Sequence, residues 1–187
     1  MKLKSPYQTL LLLLLALVVV IPQPTLSKPF FSGATYEVCF TPGENCACQI
    51  IQEIKQAKKQ ILVQAYVFSD LSIAQALIRA KQRGLDVKII LDKSQLKGKF
   101  TLLNFFRKHK ISVVIGCLPG IAHNKIIIID NDTVITGSYN YTRSATKRNA
   151  ENLLIIKDSG LAKVYMQNWY DQEKLTIKRR KKCIKNF

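Results

Sequence analysis

Residues 121–140 read IAHNKIIIIDNDTVITGSYN, and the pattern in this stretch decides the fold. Four consecutive isoleucines, Ile126 to Ile129, are too apolar and too β-branched for anything but a buried strand. Asn131-Asp132 supplies turn chemistry, and TVIT, residues 133–136, is a second β-rich run. The expectation is a strand, a tight turn and a strand. Side chains alternate along a strand, so His123 and Lys125 fall on one face at the strand's entrance. An antiparallel return brings Gly137, Ser138 and Asn140 opposite them, and histidine, ammonium, hydroxyl and amide converge.

That grouping suits a phosphodiester. Lys125 and Asn140 can donate to non-bridging oxygens without a metal, Ser138 adds a hydroxyl, and His123 can be nucleophile or proton carrier near neutral pH. Asp130 lies past the isoleucines at the far end of the strand, where it fixes the turn or pairs with a lysine rather than touching substrate. Gly137 allows a close backbone approach or a bulge. Taken singly, each residue also fits an ordinary buried hairpin. The six together, spaced H-x-K-x4-D-x6-G-S-x-N, carry the functional reading.

With this spacing the stretch resembles the phospholipase D superfamily, whose signature is the same H-K-D pattern with a trailing G-S-x-N. More narrowly it is similar to the small bacterial secreted endonucleases of that superfamily, which carry one motif per chain. The resemblance extends to Glu151 in AENLLII and implies that this carboxylate hydrogen-bonds and orients the catalytic imidazole. It also implies two H-K-D motifs facing each other about a two-fold axis, supplied here by a homodimer.

The chemistry leads to the same partner. In-line displacement at phosphorus places attacking and leaving atoms on opposite sides, and one imidazole cannot serve both. His123 would attack to give a phosphohistidine, and a second group must protonate the leaving alkoxide. The other histidine, His109 in RKHK, has no motif around it, so His123 of a second protomer is the economical choice. No carboxylate cluster of the kind used by two-metal nucleases appears. No metal and no other cofactor is expected.

The formal net charge of +17, from 29 Lys+Arg against 12 Asp+Glu, points to a polyanionic partner, either nucleic acid or an anionic membrane surface. Arg143, Lys147 and Arg148 in YTRSATKRNA form a basic loop beside the motif, expected to contact flanking phosphates; KSQLKGKF, residues 93–100, is a weaker loop of the same kind. The leading function is a nuclease acting on DNA, RNA or both with little sequence preference. A phospholipase or cardiolipin-type hydrolase is the alternative, and a catalytically silent nucleic-acid-binding protein is a third.

At 187 residues and 48% hydrophobic content, the chain has room for one domain with a real core, placed at residues 28–177. Before it, Lys2, Lys4, an apolar run from Leu10 to Ile21, and Pro22 and Pro24 have the layout of a secretory signal peptide, with an uncleaved anchor as the alternative. The expected location is periplasmic or secreted. An oxidising compartment suits the cysteines, Cys39, Cys46, Cys48, Cys117 and Cys183, whose odd number leaves at least one unpaired or intermolecular.

Around the hairpin, strands alternate with helices. Strands are expected over 34–40, 61–68, 85–92, 111–116 and 151–158, and helices over 46–59, 72–84 and 160–174, with an amphipathic segment at 100–109. The fold class is α/β, a mixed, mostly parallel β-sheet flanked by helices. Trp169 is expected to pack in the core. The run Lys178 to Lys182 begins a basic C-terminal tail, 178–187, expected to be disordered and solvated.

Overall fold

The computed structural model describes residues 27–118 and 120–184. The segment expected to direct export lies, up to residue 26, outside the described residues. In chain order the elements are β1 (Thr35–Thr41), α1 (Cys46–Gln56), β2 (Gln60–Ala65), α2 (Leu71–Gln82), β3 (Asp86–Asp92), a 3-10 turn (Lys93–Leu96), α3 (Leu103–Lys108), β4 (Ser112–Gly116), β5 (Lys125–Ile129), β6 (Thr133–Gly137), α4 (Arg143–Lys147), β7 (Glu151–Lys157) and α5 (Ser159–Ile184).

The strands form one seven-stranded sheet in the order β1-β7-β6-β5-β2-β3-β4. It is the expected mixed sheet, with a correction to "mostly parallel". Five strands point one way and β5 and β7 the other, but those two sit between oppositely directed neighbours. Four of the six adjacent pairings are therefore antiparallel, and β2-β3 and β3-β4 are the parallel ones. Helical crossovers join β2 to β3 and β3 to β4, as parallel neighbours require.

Alternation along β2 and β5 divides the core. Ile61, Val63, Ile127 and Ile129 pack on one face with Ile50 and Ile54 of α1 and Ile73 and Leu77 of α2. Leu62, Ile90, Ile128 and Val134 pack on the other face against Ala162 and Trp169 of α5. Burying these strands on both faces is what the unbroken isoleucine run required. Trp169 is core, as expected, and its indole N–H donates to the Val63 carbonyl at 2.9 Å.

Helix starts follow the local sequence. Asn45 caps α1 by accepting from the Cys48 amide at 3.1 Å, and Asp70 caps α2 through the amides of Ser72 and Ile73. Asp158 caps α5 and also accepts from the Phe31 amide at 2.7 Å. These backbone donors hold its carboxyl below the usual carboxylate range. Cys39 and Cys46 form a disulfide between β1 and the start of α1, while Cys48 is an exposed free thiol.

Two further expectations are corrected. The segment 141–150 is not all loop, because Arg143–Lys147 forms a short helix whose N-cap, Thr142, accepts from the Ala145 amide at 3.1 Å. The basic run 178–182 is not disordered: its backbone continues α5 to Ile184. Lysine and arginine are good helix formers, and a helix C-terminus favours positive charge.

One edge of the sheet gathers the ends that matter. Ala65 at the end of β2 pairs with Lys125 at the start of β5, and Asp92 at the end of β3 pairs with Gly116. The opposite edge holds Asp130, the start of β2 and, through the start of β4, His109.

Candidate active site

The motif hairpin turns through Asp130 and Asn131, both left-handed at φ 52° and 60°, one residue earlier than Asn131-Asp132. Two successive positive φ values make the turn whose twist matches a hairpin, and Asp and Asn tolerate that region better than most residues. The register Ile127↔Ile135, Ile129↔Thr133 follows. Continued up the ladder, it places Lys125 level with Gly137.

Gly137 performs both functions allowed to it. Its φ is 146°, and a Cβ there would lie 2.3 Å from the Asn152 carbonyl oxygen, so no other residue fits. The next two amides, Ser138 and Tyr139, both donate to that same oxygen, at 3.1 and 3.3 Å. This is a β-bulge, and it re-aims Ser138 and Asn140 at the end of β6. Tyr139, between them, is fully buried, and its hydroxyl pairs with Thr146 of α4 at 2.6 Å. Desolvation pushes its phenol up to about 12.

His123 is exposed, while Lys125 retains 8% of its surface. The Lys125 ammonium lies 3.2 Å from each ring nitrogen of His123 and donates to the His123 carbonyl at 2.9 Å. Burial lowers the Lys125 pKa, and the Glu151 carboxylate partly restores it. These side chains open on a cleft of about 420 Å³, with Thr136 and Gly137 on the sheet side and Val164, Tyr165 and Asn168 of α5 forming the other wall. Asn140 carries a buried Oδ1, and among the described residues no group donates to that oxygen.

Ser138 and Glu151 are together, but not as expected. The Ser138 hydroxyl donates to Glu151 Oε2 at 2.6 Å and accepts from the Asn152 amide at 3.0 Å. Its one proton is committed, so it positions β6 against β7. Glu151 also accepts from Asn149 Nδ2 at 2.9 Å, and among the described residues no hydrogen bond joins it to His123. Its negative charge raises the Lys125 pKa against the effect of burial.

Asp130 is where sequence reasoning put it, at the opposite end of β5. Its carboxylate accepts from the backbone amides of Lys58, Lys59 and Gln60, at 2.7, 2.7 and 3.0 Å. The partners are backbone amides, of Lys58, Lys59 and Gln60, rather than lysine side chains. They lie between the end of α1 and β2, which helps explain why α1 stops at Gln56, short of the expected 59.

The basic residues of α4 stand apart from the His123 cleft. Arg143 and Lys147 line a neighbouring cleft of about 540 Å³ with Asn45, Cys48 and Asp70, and the Arg148 guanidinium donates to Ser144 Oγ at 2.8 Å. His109 is engaged at the far edge, with Nδ1 2.8 Å from the Phe105 carbonyl.

Two residues escaped the sequence reading. Asp92, fully buried, accepts from the Ala122 amide at 2.6 Å and the Ser94 amide at 2.8 Å, and so pins the residue preceding His123. Tyr66, just past β2, packs its ring on His123. An acidic residue ending an apolar strand and an aromatic one directly after another were the available signals.

Comparison with known proteins places this geometry. The family described as "Cardiolipin synthase, PLD-like domain" matches residues 50–172. The chain is 49% identical over 147 residues to Phospholipase D of Rickettsia typhi, spanning 79% of this chain and 72% of that one. Nuc, a phospholipase D family member from Salmonella typhimurium, superposes with a TM-score of 0.72 at 32% identity, over 75% of this chain and 95% of Nuc. Mitochondrial cardiolipin hydrolase of Xenopus tropicalis is 27% identical over 138 residues, 68% of this chain and 66% of that one.

Proposed function

The chain belongs to the phospholipase D superfamily as a phosphodiesterase, and on that footing we propose that it cleaves nucleic acid, without a metal, through a phosphohistidine on His123. The observation that carries this is the contact of the buried Lys125 ammonium with both ring nitrogens of an exposed His123. A cation and a nucleophile at one cleft are the two things a phosphodiester needs. The net charge of +17 favours an extended polyanion as substrate.

The steps follow from the side chains. A non-bridging phosphate oxygen draws the Lys125 ammonium off the imidazole, and the Asn140 amide NH2 donates to the second oxygen. The freed lone pair of His123 attacks phosphorus, and the P–O bond to the leaving alkoxide breaks on the opposite side. His123 of a second protomer protonates that alkoxide, then takes a proton from the water that attacks the phosphohistidine and restores the free imidazole.

The second copy is part of the proposal. Within one chain His109 sits at the wrong edge of the sheet. Beside the cleft, Thr136 pairs with Leu154, and Leu154 with Val38. There the sheet face is apolar and open, with Tyr36 73% and Phe40 59% exposed, a surface of the kind another copy covers.

Lipid phosphodiesters are the second reading, favoured by the similarity to mitochondrial cardiolipin hydrolase. The test is to incubate the protein with plasmid, single-stranded DNA, RNA and cardiolipin vesicles, each with and without EDTA. Cleavage of nucleic acid that survives EDTA is the expected result. Hydrolysis of cardiolipin alone would transfer the function to the lipid reading, and complete loss on chelation, restored by magnesium, would remove the mechanism.

A further inference from the structure

Tyr66 is the aromatic residue that meets both reacting side chains. It follows Ala65, the partner of Lys125, and its amide donates to the Asn124 carbonyl at 2.9 Å, which extends the β2-β5 ladder by one step. Its ring therefore stands beside both motif residues. The ring centroid lies 4.6 Å from that of His123, with the planes tilted by 57°, and the Lys125 ammonium sits over the Tyr66 ring at 5.3 Å from its centroid. That distance is within the range at which a ring quadrupole attracts a cation.

The resting arrangement creates a conflict that Tyr66 is placed to resolve. An ammonium has only donors, so against a neutral imidazole it can bond only to the ring lone pair. Attack on phosphorus needs that same lone pair. Lys125 must therefore leave the imidazole for the phosphate oxygen without leaving the site. We infer that Tyr66 is a positioning residue for this reaction, whose ring face holds the Lys125 ammonium while the imidazole is released to attack, and whose contact with the imidazole restrains that ring. The inference rests on the reading of His123 as nucleophile toward a phosphodiester.

The experiment replaces Tyr66 by phenylalanine and by its mono-, di- and trifluorinated analogues, which preserve shape while draining the π-face, and by leucine. On bis(p-nitrophenyl) phosphate, kcat should stay near the native value in Tyr66→Phe. It should fall stepwise along the fluorinated series to about tenfold below, with KM moving less than about twofold. A packing role would show instead as a lower unfolding temperature with no dependence on fluorination. Should Tyr66→Leu fail to fold, the fluorinated series decides alone.

A readout independent of turnover is the ring-current shift of the Lys125 ε-methylene protons, upfield in the native protein and in Tyr66→Phe, and ordinary in Tyr66→Leu. A flat fluorinated series, or an ordinary Lys125 signal in the native protein, overturns the inference. A native protein that shows the ring-current shift but hydrolyses no phosphodiester sinks the proposed function instead. It then leaves Tyr66 as a cation-holding residue of a site with another task.

Discussion

The two ends of β5 carry residues of one sequence motif and are built in opposite ways. At the far end Asp130 is saturated, with three backbone amides within 3.0 Å of its carboxylate. At the near end His123 is exposed, and the hydrogen-bond partners of the Lys125 ammonium among the described residues are the ring nitrogens and carbonyl of that one residue. A saturated group holds structure, and an under-bonded one is available to a ligand. On the proposed mechanism the histidine and lysine of the motif belong to chemistry, and its aspartate to the hairpin.

Substitution separates the two ends. His123→Ala should lower kcat by about 10⁴-fold or more, since no neighbouring group within the chain replaces the nucleophile. Binding to DNA should change little and should weaken steeply with salt, because the basic surface rather than the imidazole supplies affinity. Gel-shift titration beside a turnover assay reads both, and substantial remaining turnover would move the nucleophile elsewhere.

Asp130→Ala is the converse. It removes three charge-assisted hydrogen bonds and should cost about 2–3 kcal/mol in a denaturant titration. Turnover per folded molecule should fall no more than a few-fold. A large loss of kcat at native stability would dissolve the division between the two ends.

Glu151→Gln should act more gently, through charge. Lys125 must be an ammonium to hold phosphate, and burial already lowers its pKa below the ordinary 10.5 while Glu151 raises it. Removing that negative charge lowers it further. The alkaline fall in rate, which occurs as Lys125 loses its proton, should begin at a lower pH in the variant. A limb that moves upward or stays in place would contradict the role of Glu151 as a field acting on Lys125.

What the sequence revealed divides along the same line. The isoleucine run, the tight turn, the glycine approach and the structural role of Asp130 are local, and each follows from a few adjacent residues. Pairings between distant strands do not. Nothing in ENLLIIKD says that β7 inserts between β1 and β6, and that insertion is why antiparallel pairings outnumber parallel ones. The same blindness affected the site. The partner of Glu151 is decided by a bulge that brings Ser138 within 2.6 Å, and Tyr66 and Asp92 reach the motif only through the sheet. The basic run at 178–182 differs for another reason, since its charge suits a solvated tail while lysine and arginine also extend a helix.

The central claim is that bond-making occurs at His123, at the under-bonded end of β5. Its most direct test is to quench the protein in alkali during turnover of a ³²P-labelled phosphodiester in excess EDTA, then map the label by proteolysis and mass spectrometry. The account predicts an alkali-stable, acid-labile phosphoryl adduct on His123, absent from His123→Ala and still formed by Asp130→Ala. Label on another residue, or product formation that needs a divalent metal and leaves His123 unmodified, would contradict it.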